Sequence, residues 1–164
     1  MSTPLCVRKA SPSDADAILE LVEGLAAYEH LDPPDAAARK RLVHDMFSDR
    51  PRIEAFIGEV NGTPAGYAFV FETYSSFLAL PTLYLEDIFV LPEYRKLKLG
   101  YALFSTVAQE AHKRGCGRME WTVLEWNAPA IDFYKRFGAK YMKEWQLYRL
   151  TREELGSLTV IGKE

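Results

Sequence analysis

Residues 84–102, YLEDIFVLPEYRKLKLGYA, constrain this chain more than any other stretch. They read as an apolar strand, then a basic loop ending at a glycine, then the first turn of a helix. That succession aims backbone N–H groups and the positive end of a helix dipole at one spot. The result is a seat for an anionic group such as a pyrophosphate.

The flanking elements follow from periodicity and punctuation. A short strand is predicted over 5–9, and Ser11-Pro12-Ser13-Asp14 opens a helix whose apolar stripe is Ile18, Leu21, Val22, Leu25 and Tyr28. After Asp32-Pro33-Pro34 a second helix covers 35–47, burying Leu42, Val43 and Met46. Strands over 54–60 and 65–73 are joined at Asn61-Gly62, a strong hairpin signal. The next strand, 83–90, is apolar enough to lie inside a sheet. A long helix over 99–114 closes at Gly115, with Leu103, Phe104, Val107, Ala108 and Ala111 inward or beside the inward face. A strand over 118–123, a helix over 128–137, a final strand over 143–150 and a helix capped by Thr151 complete the order. This mixture of hairpins and one parallel crossover predicts an α/β (α+β) fold, a mixed, mostly antiparallel sheet with helices on both faces. No repeat or linker interrupts it, so residues 1–164 are expected to form a single domain.

Composition narrows the partners. The 164 residues are 48% apolar and carry a net charge of −3, which disfavours nucleic acid and suits a cationic small molecule. Cys6 and Cys116 form no disulfide framework and read as small apolar fillers, and His30, His44 and His112 show no ligand spacing, so no metal is expected. No apolar run reaches the ~20 residues that span a bilayer, and the N-terminus has no signal-peptide pattern. No membrane association and a cytoplasmic location are the expectation.

The segments 84–101 and 118–138, the latter containing WTVLEWNAPAIDFYKRFG, resemble the acyl-CoA cradle of the GNAT acetyltransferase superfamily. The likeness is greatest to the spermidine/spermine and thialysine N-acetyltransferases. The superfamily signature Arg/Gln-x-x-Gly-x-Gly/Ala stands here as Arg95-Lys96-Leu97-Lys98-Leu99-Gly100, with Lys98 where the first glycine is usual. Glycine there permits positive φ and close backbone approach, whereas lysine brings an ammonium beside the phosphates. The resemblance implies acetyl-CoA as co-substrate. Ile88, Phe89 and Val90 would bond its pantetheine arm, through a sheet edge opened by splaying from the strand near 118–123. Arg95 and the run Lys96, Leu97, Lys98, Leu99, Gly100 and Tyr101 would hold the pyrophosphate. Asn127, Ala128, Pro129 and Ala130 would close over the other side, a role compatible with their other reading as a turn and helix cap.

Acetylating an amine requires removing a proton from a group with a pKa of ~10.4 and protonating a departing thiolate. The resemblance assigns the second task to Tyr134, through Asn127…Phe133-Tyr134. It assigns the first to Glu86 of Leu85-Glu86-Asp87, as a base acting through water or as an anchor for the cationic acceptor. Because neighbouring strand residues face opposite ways, only one of Glu86 and Asp87 is expected to face the acyl group. By the same resemblance Tyr28 and Glu29 match an amine-binding pair, Glu120, Trp121, Thr122 and Glu144 fall where relatives contact substrate, and a homodimer is implied. The activity implied is direct transfer of acetyl to a primary amine of a polyamine, diamine or lysine-like amino acid. A non-catalytic acyl-CoA-binding module, or an enzyme for a protein amine or an antibiotic, is the alternative.

Overall fold

Asn61 and Gly62 take left-handed φ values of 52° and 77°, and the chain reverses there into an antiparallel hairpin. The structure, a computed structural model, describes residues 4–158. Its elements run β1 (Leu5–Lys9), α1 (Ala15–Glu29), α2 (Ala36–Phe47), β2 (Glu54–Val60), β3 (Thr63–Ser75), β4 (Leu80–Val90), α3 (Leu99–Lys113), β5 (Arg118–Glu120), α4 (Ala128–Arg136) and α5 (Arg152–Ser157). The strands lie in chain order; the first four pair antiparallel and β5 runs parallel to β4. The chain divides into two compact units, one ending at Thr122 and the other beginning at Val123. The sheet with α1, α2 and α3 makes the first, and α4 and α5 belong to the second.

Strand alternation gives the sheet two different faces. Ile57, Tyr67, Phe69 and Phe89 pack with Ile18 and Leu21 of α1 and Met46 of α2. Gly58 and Gly66, on the opposite face, lie under Leu99 and Leu103 of α3. Leu103 and Val107 are fully buried there, each contributing on the order of 1.5–3 kcal/mol. At the far end of α3, Arg114 makes paired hydrogen bonds to Glu54 (2.7 and 3.0 Å) and one to Glu110 (2.8 Å), pinning that end to β2.

The caps expected at Ser11 and Thr151 both form as reciprocal capping boxes, and Asp35 accepts from the Ala38 N–H at 2.7 Å. Asp14 is held further by two 2.8 Å bonds from Arg8.

Three expectations fail. Residues 143–150 form no strand and are exposed throughout. Their apolar side chains satisfy a strand pattern, but a strand needs a partner for its backbone, and this segment is not among the hydrogen-bonded strands. The predicted strand over 118–123 stops at Glu120, because β4 and the following residues diverge. Cys6 and Ala108 are exposed: Cys6 sits on an outer strand and Ala108 on the solvent side of α3.

Among the described residues, no helix is long and apolar enough to cross a membrane, and no cluster of His, Cys, Asp or Glu could hold a metal ion.

Candidate active site

The strand β4 pairs with β3 along almost its whole length but with β5 only from Thr82 to Tyr84. Beyond Tyr84 that edge of β4 is bare of any strand among the described residues. Which atoms lie on it follows from register. Val90 stands opposite Gly66, and the next residue, Leu91, donates to the Ala65 carbonyl at 2.9 Å. Val90 and Gly66 are therefore a non-hydrogen-bonded pair, so Val90 turns its N–H and C=O toward the bare edge, as does Ile88 two residues earlier. Phe89, between them, faces Tyr67 with its backbone and gives its ring to the core. The predicted trio thus divides: Ile88 and Val90 offer backbone to an added strand, and Phe89 supports them from below.

The loop after β4 approaches the same edge. Lys96 and Lys98 hold left-handed φ values of 70° and 67°, a conformation costing a non-glycine residue roughly 1–2 kcal/mol. Lys98 has therefore taken the backbone shape that a glycine would supply, and it caps α3. The first bond of the helix runs from Ala102 N to Lys98 O at 3.0 Å. The N–H groups of Leu99 and Gly100 have no acceptor within the helix and point outward from its positive end. The exposed side chains of Arg95, Lys96 and Lys98 surround them. Small residues let this helix end sit close to the sheet. A Cβ on Gly58 would come within 2.9 Å of Leu99, and one on Gly66 within 2.7 Å of the Phe89 carbonyl oxygen. Together the bare edge and the helix end fit an extended, pyrophosphate-bearing chain.

Carboxylates gather beside this edge. The β3–β4 register slips between Phe69 and Val70, so that Phe69 faces Asp87 and Val70 faces Leu85. Glu86 is the extra residue of a β-bulge. The simple alternation expected of Glu86 and Asp87 is broken there. Asp87 falls on the α1 face of the sheet, where the buried Tyr67 hydroxyl donates to it at 3.0 Å. Burial, with further contributions from Glu86 and Glu29, pushes the Asp87 carboxyl up to about 6 despite that hydrogen bond. Burial, with Asp87 second, also raises Tyr67, which stays a neutral donor. Glu29, the last residue of α1, is half-buried and likewise raised by burial. Two partly desolvated acidic groups, Glu29 of α1 and Asp87 of β4, thus lie near the exposed Glu86, an arrangement suited to a cation.

Tyr28 stands next to Glu29, its ring centroid 6.4 Å from that of Phe89. Phe89 in turn lies so close to α1 that a Cβ on Gly24 would meet it at 2.9 Å. The Arg95 guanidinium carbon lies 4.7 Å above the Tyr28 ring centre, and Nε donates to the Val90 carbonyl at 3.0 Å. Sequence reasoning assigned Arg95 to the pyrophosphate and missed this second contact. It also missed Tyr67, an O–H inside the apolar run AGYAFVF, because its partner is set by a register that depends on the bulge.

The remaining expected residues are spread over both units. In the first, Glu120 pairs with Arg118 at 2.9 Å, Trp121 packs edge-on against Phe104 of α3 at 5.3 Å, and Thr122 is exposed. In the second, Asn127 caps α4 by accepting from Ala130 N at 3.3 Å, with Ala128 and Pro129 in the first turn. The cap reading of Asn127 is therefore correct. Tyr134 is buried on α4 beside Phe133, and Glu144 is exposed.

An unpaired strand edge with a basic helix end at its mouth offers an extended anionic ligand main-chain partners and a positive seat; comparison with known proteins shows the family. Residues 17–139 match the acetyltransferase (GNAT) family, and the chain belongs to that family and is an N-acetyltransferase. It is 32% identical to the thialysine N-epsilon-acetyltransferase of Bos taurus, over 93% of this chain and 95% of the relative. It is 30% identical to the L-ornithine N5-acetyltransferase of Arabidopsis thaliana, over 93% of this chain and 86% of the relative. Among solved structures, a possible acetyltransferase from Clostridium difficile 630 superposes with a TM-score of 0.79 at 18% identity, covering 90% of this chain and 97% of the other. That likeness carries the fold.

Proposed function

We propose that residues 1–164 act as one domain that transfers acetyl from acetyl-CoA to a primary amine of a small cationic acceptor, by direct transfer in a ternary complex. The acceptor class is a polyamine, diamine or lysine-like amino acid. The observation that carries this reading is the meeting, in one unit, of the bare Ile88/Val90 edge with the carboxylates of Glu29, Glu86 and Asp87. An added strand along the edge would be held by main-chain bonds, with its phosphates at Leu99 and Gly100. The carboxylates would hold a cationic acceptor next to it. The named activities of the bovine and plant relatives, on thialysine and ornithine, support an acceptor bearing an amine at the end of a short chain.

Acetyl-CoA supplies a thioester carbonyl and a thiolate leaving group. The protein's tasks are to take a proton from the ammonium and to return one to sulfur. Glu86, exposed at the bulge, is the proposed base through water or the acceptor's anchor, and Tyr134 is the proposed acid. Neither cysteine lies on β4 or its loop, which supports transfer without an acyl-enzyme. A cytoplasmic homodimer is part of the proposal. It is supported by the unpaired 143–150 segment, where Trp145 and Tyr148 are 75% and 85% exposed.

The test is thiol release from acetyl-CoA with amines of graded length and charge. Turnover with diamines or lysine-like acceptors, falling at least tenfold in Tyr134→Phe, is expected. No turnover with any amine sinks the acceptor class, and an unimpaired Tyr134→Phe variant removes the acid assignment.

A further inference from the structure

Arg95 sits where three parts of the site meet, and its contacts do not match those of a simple phosphate ligand. Its Nε donates to the Val90 carbonyl, one of the edge groups that register turns away from β3. Its guanidinium covers the Tyr28 ring at 4.7 Å and stands 5.7 Å from the Phe89 ring centre. Among the described residues it makes no ion pair, so its terminal nitrogens keep their donors for an anion at the loop. Lys96, the next residue, begins the left-handed backbone that shapes that loop.

We infer that Arg95 is a positioning residue that ties the acceptor end of α1 to the cofactor edge of β4, so that a change at Tyr28 is felt in CoA affinity. This rests on the proposed function. The physical reason is that one planar cation holds an aromatic ring and a strand carbonyl at fixed separation. Tyr28 cannot tilt without moving the guanidinium, and the guanidinium cannot move without releasing Val90. The filled ring face has a second consequence. An acceptor ammonium finds that face of Tyr28 already occupied by a cation, and is directed to the carboxylates of Glu29, Glu86 and Asp87 instead. Charge recognition then belongs to the acidic groups, and Tyr28 shapes the wall.

The experiment is a double-mutant cycle read by CoA binding, which requires no turnover. CoA affinity is measured by calorimetry for the wild type, Tyr28→Leu, Arg95→Met and the pair, with the uncharged Arg95→Gln as a second replacement should Arg95→Met fail to fold. Methionine keeps an apolar stem over the ring and removes both charge and donor. Tyr28→Leu is expected to weaken CoA binding about two- to five-fold when Arg95 is present, and not at all when it is replaced, because an exposed cation–π contact is worth that much. A merely structural role for Arg95 would make the two losses multiply independently, and that result overturns the coupling alone. A wild-type chain that binds no CoA overturns the proposed function and this inference with it.

Discussion

Replacing Asp87 with asparagine should make the protein more stable at neutral pH, by an amount that follows from its surroundings. The Asp87 carboxyl moves from an ordinary 3.8 to about 6 in the folded chain, first through burial, opposed by the Tyr67 hydrogen bond, and then through Glu86 and Glu29. The raised value means that the folded state binds the proton more tightly than the unfolded one. Stability from this group is therefore complete below pH 3.8, is lost as pH rises through 6, and is flat above. The gap of about 2 units corresponds to roughly 3 kcal/mol at pH 7.5. Asparagine has the same shape and no charge, and its carbonyl can still accept from the Tyr67 hydroxyl, so that buried donor keeps its partner. Asp87→Asn should then gain up to about 3 kcal/mol at pH 7.5, a Tm rise of about 6–12 °C for a chain of this size, and almost nothing at pH 4. Thermal and urea unfolding of both proteins across pH 4–8 measures it. A difference that does not change with pH, or a variant less stable than wild type at pH 7.5, would refute the argument. On the proposed function the same variant should also lose acceptor affinity, since it removes one of the three carboxylates assigned to the cationic acceptor.

Two further changes probe the cofactor side. Lys98→Gly relieves a left-handed lysine, so the fold should be unchanged or up to about 1 kcal/mol more stable. CoA affinity should fall several-fold at low salt, the gap narrowing at high salt as the lost ammonium is screened; calorimetry at two ionic strengths reads both. Gly66→Ala drives a Cβ to 2.7 Å from the Phe89 carbonyl oxygen and 3.0 Å from Val90. It should cost about 1–3 kcal/mol in urea unfolding and weaken CoA binding by shifting the bare edge.

Much of the fold was legible because local signals and tertiary packing agree. The Asn61-Gly62 reversal, the caps at Ser11 and Thr151, and the stripe Leu103, Val107 and Ala111 all stand as periodicity and turn chemistry imply. What failed depends on partners that a single sequence does not display. Trp145, Leu147 and Tyr148 give 143–150 the composition of a strand, but composition cannot provide a neighbour to pair with. The same holds for the site. Glu29 and Glu86 were found as residue types in a motif. The importance of Asp87 emerges only from a cross-strand register that sets Tyr67 beside it, and Arg95 reaches Tyr28 across 67 positions of chain through contacts no spacing encodes.

The additional residue at Glu86 acts on β4 as a frame shift acts on a message. Upstream, Leu83 and Leu85 pack in step with Val70; downstream, Asp87 and Phe89 occupy the opposite face in step with Phe69 and Tyr67. Excising that one residue would let Leu85 and Asp87 follow one another as Val70 and Phe69 do, a regular ladder with both halves in their layers; pairing it instead would move either the leucines into the wrong layer or the carboxylate out of its place. The strand therefore serves both layers only by keeping Glu86 out of the pairing.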